Sequence, residues 1–127
     1  MNKAESTRLE LLNKAFELIY QQGYQATSVD KILNTTQVTK GAFYYHFKNK
    51  EEMGLAMIKE VVAPRLHRLL IAPLEKEEED AATLIYQTIA DNLLYNNDFD
   101  IRYGCPINNL VQEMSPVNQA FQKSLQQ

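Results

Sequence analysis

The chain has 127 residues, of which 45% are apolar and 23% are charged, and its formal net charge is −3. This balance is typical of a globular protein and excludes a collagen-like or wholly disordered chain. A single cysteine, Cys105, excludes an internal disulfide and a cysteine cluster for a metal. No run of residues approaches the ~18 apolar positions of a membrane span. We therefore expect a soluble, cytoplasmic protein without a membrane segment, a metal or a cofactor.

Charge is divided unevenly along the chain. Residues 1–50 contain seven Lys or Arg and four acidic residues, whereas residues 51–127 contain six basic and twelve acidic residues. A basic first part on an acidic body favours contact between the first part and a polyanion. An excess of this size is common, so the charge alone carries little weight.

Apolar residues recur at helical spacing almost throughout, which predicts an all-α protein. The apolar side of the first helix consists of Leu9, Leu12, Phe16 and Ile19. This helix should end at Gly23, because glycine readily takes the left-handed conformation that follows a helix. A second, short helix begins at residues 27–30, where hydroxyl side chains can cap it. Residues 34–37 form a turn, and Thr39 caps a third short helix that carries Phe43 and Phe47 one turn apart.

A long fourth helix should begin at Lys48 or Asn49, with Pro64 inside it and Pro73 at its end. Its apolar side consists of Leu55, Ile58, Val62, Leu66 and Leu69. The charged run 75–80 is interpreted as a solvated linker that feeds acidic residues into the next helix.

The last part of the chain should contain three more helices. The fifth spans Ala81 to Tyr95 and is followed by a turn at residues 96–98. Pro106 and Pro116 are interpreted as the first residues of two final helices, with Ser115 as the N-cap of the second, because proline is favoured at that position.

The third helix carries the residues most useful for chemistry. At 100° per residue, Phe43 and Phe47 share one face, so a helix this short cannot also bury Tyr44 and Tyr45 in the same core. At least one phenol is therefore exposed beside basic residues: Lys40, His46, Lys48 and Lys50. Phenol, imidazole and ammonium groups donate to phosphate oxygens, and a short helix presented after a turn is the geometry of a helix-turn-helix. Boundary positions in a helical bundle are the simpler interpretation of any one of these residues.

These residues also resemble a known family. The segment 38–52, VTKGAFYYHFKNKEE, together with the first helix and residues 27–32, resembles the DNA-binding domain of the TetR (AcrR-like) family of transcriptional regulators. The resemblance to this domain covers residues from about 8 to 61, and residues 104–110 resemble a segment found in one branch of the family. It implies a helix-turn-helix DNA-binding domain at 5–65, with the helix-turn-helix at about 28–47, and a partial effector-binding and dimerisation domain at 66–127.

The resemblance implies a sequence-specific regulator, usually a repressor, that binds double-stranded DNA at a palindromic operator as a homodimer and is released by a small-molecule effector. The residues implied to lie near base edges are Lys40, Gly41, Ala42 and Tyr44. The residues implied to hold phosphates are Thr27, Ser28, Thr39, Tyr45, His46 and Lys50. Phe43 and Phe47 would be the buried supports of the recognition helix.

Two departures from the family pattern affect this interpretation. Gln37 stands where the turn usually has glycine, so either Gln37 takes a positive φ or the turn differs slightly. The chain also ends before the two helices that normally form the dimer interface. It is then either a piece of a longer protein or a protein that dimerises in another way.

An effector pocket, if present, should lie among the fourth to seventh helices. Its candidate lining residues are Met57, Val61, Leu84, Tyr86, Ile89 and Met114, each of which is more simply explained as core. Cys105 is more simply a buried structural cysteine than an oxidant sensor, and His67 a surface or boundary residue rather than a ligand.

Two other functional classes, an enzyme and a protein-binding adaptor, fit the sequence less well than a DNA-binding protein. No nucleophile–histidine set, phosphate loop or zinc motif indicates an enzyme. An adaptor that kept a helix-turn-helix but binds protein is the alternative, favoured by the acidic second part. The exposed aromatic and basic residues of the third helix suit phosphate better than protein.

Overall fold

The computed structural model describes residues 2–75, 80–90 and 102–126. Within these ranges the secondary structure is helical, without a β-strand, which confirms the all-α prediction. The α-helices are α1 (Lys3–Gln22), α2 (Val29–Asn34), α3 (Lys40–His46), α4 (Lys50–Met57), α5 (Ala63–Leu66), α6 (Ala81–Ala90), α7 (Pro106–Met114) and α8 (Gln119–Leu125). None of the helices in the described ranges has the length and apolarity required to cross a membrane.

The long helix predicted after Asn49 is a continuous helical stretch of mixed type. Asn49 caps α4 by accepting a hydrogen bond from the N–H of Glu52 at 2.8 Å. Two π-helical segments, Ile58–Val62 and His67–Ile71, flank α5, and Pro64 lies in the first turn of α5. The N–H of Ala63 bonds to the carbonyl of Ile58, five residues back. A wider turn of this kind lets the helix continue past a residue that has no N–H to donate.

Of two predicted helix boundaries marked by proline, one is wrong. The long helical stretch ends at Ile71 and passes into a 3-10 turn, Ala72–Glu75, that contains Pro73, close to the predicted end. Pro116 does not begin a helix, because it lies in the turn that closes α7, and Ser115 is the C-cap of α7 rather than the N-cap of α8. The N–H of Asn118 bonds back to the carbonyl of Met114 at 2.9 Å, and the side chain of Asn118 then caps α8.

The fifth predicted helix is present as α6, which ends at Ala90. The predicted extension to Tyr95 and the turn at 96–98 lie outside the described residues.

One hydrophobic core joins the first half of the chain to α7 and α8. α1 lies against α2, α3 and α4, while α8 contacts α4 and the π-helical segment that follows it. Fully buried side chains from all these parts include Leu11, Ile32, Phe43, Phe47, Met53, Met57, Val62 and Phe121. Residues of α7 and α8 thus share one core with the buried side chains of the short helices α2 and α3.

Candidate nucleic-acid interface

The helix α3 is anchored by one face and exposed on the other. Phe43 and Phe47 are buried, and their ring centroids lie 5.6 Å apart. Tyr44 is 48% exposed and Tyr45 is 80% exposed. The prediction that α3 presents at least one phenol to its surroundings is therefore confirmed.

Side-chain caps fix where α2 and α3 begin. The hydroxyl oxygen of Ser28 accepts a hydrogen bond from the N–H of Lys31 at 3.1 Å, and that of Thr39 accepts from the N–H of Ala42 at 3.1 Å. Both capping residues are exposed. Since each hydroxyl accepts a bond from the backbone, its hydrogen remains available as a donor to an external oxygen.

The turn between α2 and α3 is built by threonines. The hydroxyl of Thr35 donates to the carbonyl of Ile32 at 2.8 Å, and the oxygen of Thr36 accepts from the N–H of Val38 at 3.1 Å. No residue other than glycine has a positive φ in the described ranges, so Gln37 does not take the left-handed conformation. The sequence left open whether Gln37 takes a positive φ or the turn differs from the glycine-containing form. The structure shows the second.

A contact that the sequence did not reveal supports the end of α3. The guanidinium of Arg8 lies 4.7 Å from the ring centroid of Phe47 and donates hydrogen bonds to the carboxylate of Glu60. Arg8, in α1, thus links the buried support of α3 to the π-helical segment after α4. The spacing of 52 residues between Arg8 and Glu60 gives no local signal of this contact.

The charges near α3 are only loosely paired. The ammonium of Lys40 lies 3.8 Å from a carboxylate oxygen of Asp30, and both side chains are largely exposed. Exposed ion pairs contribute little to stability and are easily exchanged for another partner. Lys31, exposed in α2, donates to the carbonyl of Ala26 at 2.9 Å and adds a positive charge that the sequence prediction had not included.

Thr27 is a correction to the predicted set of phosphate-binding side chains. It is fully buried, and its hydroxyl donates to the carbonyl of Gly23 at 2.7 Å and accepts from the side-chain amide of Gln22 at 3.2 Å. A side chain with no exposed surface and an internally bonded hydroxyl cannot contact a phosphate unless the turn rearranges. The threonine stabilises the turn that precedes α2.

Lys50 occupies a half-buried position at the start of α4. Its ammonium lies 4.2 Å from the ring centroid of Tyr24, and desolvation by burial lowers its pKa while the carboxylate of Glu113 acts in the opposite direction. Burial also raises the pKa of Tyr24 to about 12, with further contributions from Glu51 and Glu113. Tyr24 is therefore a neutral phenol at neutral pH.

The remaining predicted contacts lie at the edges of α3. Gly41 is exposed, and a Cβ added to it would meet no atom within 4 Å. Ala42 and His46 are half-buried, and the ring of His46 lies 5.0 Å from that of Tyr45. The structure thus brings together Lys40, Gly41, Tyr44 and Tyr45 as the exposed surface of α3, which we call the α3 surface.

The six residues suggested for an effector pocket do not form one site. Leu84, Val61 and Met114 are buried, whereas Tyr86 is 74% exposed and Ile89 is 52% exposed. The suggestion that Tyr86 and Ile89 point inward is therefore wrong. Of the six, Met57 lines a cavity between α1 and α7.

Cys105 and His67 were considered in the sequence as a possible oxidant sensor and a possible ligand. Cys105 immediately precedes α7 and is half-buried, so it is less buried than expected. His67 is exposed, as predicted. Within the described residues, no three His, Cys, Asp or Glu side chains form a group that could hold a metal ion.

Comparison with known proteins gives a consistent family match. Residues 11–57 match the family described as "Bacterial regulatory proteins, tetR family". The chain is 37% identical over 128 residues to an HTH-type transcriptional regulator in the lacX 3' region of Lactococcus lactis, covering 96% of this chain and 62% of the relative. It is 32% identical over 123 residues to the transcriptional regulator AcuR of Cereibacter sphaeroides, covering 91% of this chain and 52% of AcuR.

A solved structure shares the fold of this chain. The crystal structure of the reduced form of E. coli NemR superposes with a TM-score of 0.77 at 27% identity, covering 95% of this chain and 62% of NemR. The chain thus spans between about half and two thirds of the length of these relatives.

Proposed function

Because the chain belongs to the TetR family of bacterial regulatory proteins, we propose that it is a sequence-specific DNA-binding regulator of transcription, acting as a ligand-released repressor. The observation that carries the proposal is the α3 surface. A short helix is held by two buried phenylalanines and presents Lys40, Tyr44 and Tyr45 outward. Fold alone would not support a function, but these side chains have the chemistry that a duplex requires.

In this proposal α3 lies in the major groove. Lys40, Gly41, Ala42 and Tyr44 lie near the base edges, where hydrogen-bond donors discriminate between base pairs. The open space around Gly41 allows the backbone of α3 to approach the bases closely. The weak pairing of Lys40 with Asp30 leaves the ammonium free to change partners.

Phosphate contacts are proposed for the residues around α3. Ser28 and Thr39 donate through their hydroxyl hydrogens, and Tyr45 and His46 donate from the end of the helix. Lys50 would have to turn its ammonium away from the ring of Tyr24 to reach a phosphate. For Thr27 we retain only a supporting role, because its side chain is buried.

The partners of the whole protein are part of the same proposal. We propose a palindromic operator, a homodimer in the full-length form, and an unidentified small-molecule effector. The DNA-binding domain would comprise residues 5–65, and residues 66–127 would belong to the effector-binding and dimerisation domain.

Duplex binding by matched variants tests the assignment of roles. We expect Tyr44→Ala to reduce the preference for particular sequences by about 1–3 kcal/mol at individual positions. Tyr45→Ala should weaken binding to all duplexes alike, because a phosphate contact carries no sequence information. Fluorescence anisotropy with labelled duplexes over a salt titration measures both effects.

The control for the loss of charge is a substitution far from α3 in the sequence, at Lys123 of α8. Lys40→Ala and Lys123→Ala each remove one positive charge, and Lys123 is exposed in α8. Only the first should alter sequence preference. Equal effects of the two substitutions on sequence preference would reject the role of α3 in recognition.

A further inference from the structure

A carboxylate of α7 holds the turn between α1 and α2. One side-chain oxygen of Glu113 accepts a hydrogen bond from the N–H of Tyr24 at 2.7 Å, and the other accepts from the N–H of Gln25 at 2.9 Å. Hydrogen bonds to an ionised carboxylate are among the stronger ones in proteins. Gly23, with a φ of +91°, permits this approach, because a Cβ there would lie 3.2 Å from an oxygen of Glu113.

The turn held by Glu113 leads directly into the helix-turn-helix. Ser28, the cap of α2, follows Gln25 by three residues, and the buried Thr27 lies between them. The ring of Tyr24 packs against Phe121 of α8, with centroids 4.7 Å apart. A displacement of α7 would therefore be transmitted to the residues at which α2 begins.

Glu113 also lines a cavity of about 300 Å³ between α1 and α7. This volume lies at the lower end of the range for small-molecule sites. Its walls include Phe16, Ile19, Tyr20, Tyr103, Leu110 and Glu113. Aromatic and aliphatic side chains thus line the cavity together with the carboxylate of Glu113, which already holds the turn between α1 and α2.

We propose that this cavity binds a compact aromatic amine or amidine, and that Glu113 links its occupancy to the position of α2 and α3. The aromatic walls provide apolar contact for a flat ring, and the carboxylate accepts from an N–H donor. A bound donor competes with the N–H groups of Tyr24 and Gln25 for Glu113. The inference rests on the proposed function, because it concerns regulation of the same helix-turn-helix.

The charge of the ligand decides whether it can compete for Glu113. The guanidinium of Arg102 also lines the cavity and lies 5.3 Å from the ring centroid of Tyr103. An aromatic anion has no N–H to donate to Glu113 and would leave the two backbone hydrogen bonds in place. Benzamidine and benzoate, which share a shape and differ in charge, therefore separate the two cases.

NMR titration of the full chain, without DNA, tests the site. Benzamidine should cause saturable shifts of the amide signals of Tyr24 and Gln25 and should speed their hydrogen exchange. Glu113→Gln should weaken benzamidine binding by about tenfold or more, equivalent to 1.4 kcal/mol. Glu10→Gln, at an exposed position of α1, should leave it unchanged. Tighter binding of benzoate, or no shift at these amides, would overturn the inference.

A second variant covers the possibility that Glu113→Gln does not fold. Leu110→Phe should fill part of the cavity and abolish benzamidine binding, while both amides stay protected. Benzamidine should also change duplex affinity in the original chain and not in Leu110→Phe. An identical benzamidine response in the two proteins would reject the cavity. Failure of the original chain to bind any duplex would instead reject the proposed function, and the amide signals would still decide the inference.

Discussion

Two glycines in successive helices differ in the space around them: Gly41 of α3 has open space, and Gly54 of α4 is enclosed by other side chains. A Cβ at Gly41 of α3 would meet open space, whereas one at Gly54 of α4 would lie 2.7 Å from Phe121 and 2.8 Å from Tyr24. The first glycine is therefore not required by the packing of the described residues, and the second is.

Replacement of Gly41 by alanine should stabilise the protein and impair its binding to DNA. Alanine in a helix is favoured over glycine by about 0.5–1 kcal/mol, so the midpoint of urea denaturation should rise. The added methyl group would keep the backbone away from base edges and lower duplex affinity. Unfolding curves and anisotropy on the same samples measure the two effects. An unchanged affinity would place Gly41 outside the interface.

The buried hydroxyl of Thr27 should contribute to stability. Thr27→Val removes the donor to the carbonyl of Gly23 and should lower the free energy of unfolding by about 1–3 kcal/mol. Thr27→Ser keeps the hydroxyl and is the matched control. If Thr27→Val were as stable as the original chain, the hydrogen bond would have no structural role.

Sequence periodicity predicted the side chains of α3 correctly, but it failed for Tyr86 and Ile89 of α6 and gave no guide outside the helices. The burial of Phe43 and Phe47 and the exposure of Tyr45 follow from rotation by 100° per residue. Thr27 lies in a turn, where burial depends on the carbonyl that its hydroxyl meets. The contact of Glu113 with Tyr24 joins residues 89 positions apart, so no local pattern could indicate it.

At the scale of elements, capping residues located the helices of the proposed DNA-binding part. Ser28, Thr39 and Asn49 each accept a hydrogen bond from a backbone N–H, and each lies where the sequence predicted a helix start. Pro116 misled the prediction because proline suits both a helix start and a turn. Asn118 decided the outcome, since its side chain accepts from the N–H groups of Ala120 and Phe121.

The junction between α4 and α8 should be sensitive to added volume. Gly54→Ala would force Tyr24 and Phe121 apart and should cost about 1–3 kcal/mol of unfolding free energy, as overpacking of a core does. Gly41→Ala is the matched control, because the same chemical change there meets no obstacle. Urea denaturation that gave both variants the same stability would contradict the packing described for α8.

At the scale of the whole molecule, the core runs across the boundary predicted near residue 65. Leu110, Met114 and Phe121 share one core with residues of α1 and α4. Sequence patterns predicted which residues are apolar but not this continuity, because it depends on contacts between distant elements. The proposed DNA-binding part is therefore held by α7 and α8.

Selection from a pool of random duplexes, followed by a salt titration, tests the central claim most directly. We predict enrichment of particular sequences, with affinity that falls as salt rises because phosphate contacts release counterions. An enriched palindrome would also report the spacing of two half-sites and hence the dimer. Binding without any sequence preference would contradict a sequence-specific regulator. An absence of binding even at low salt would favour the protein-binding adaptor.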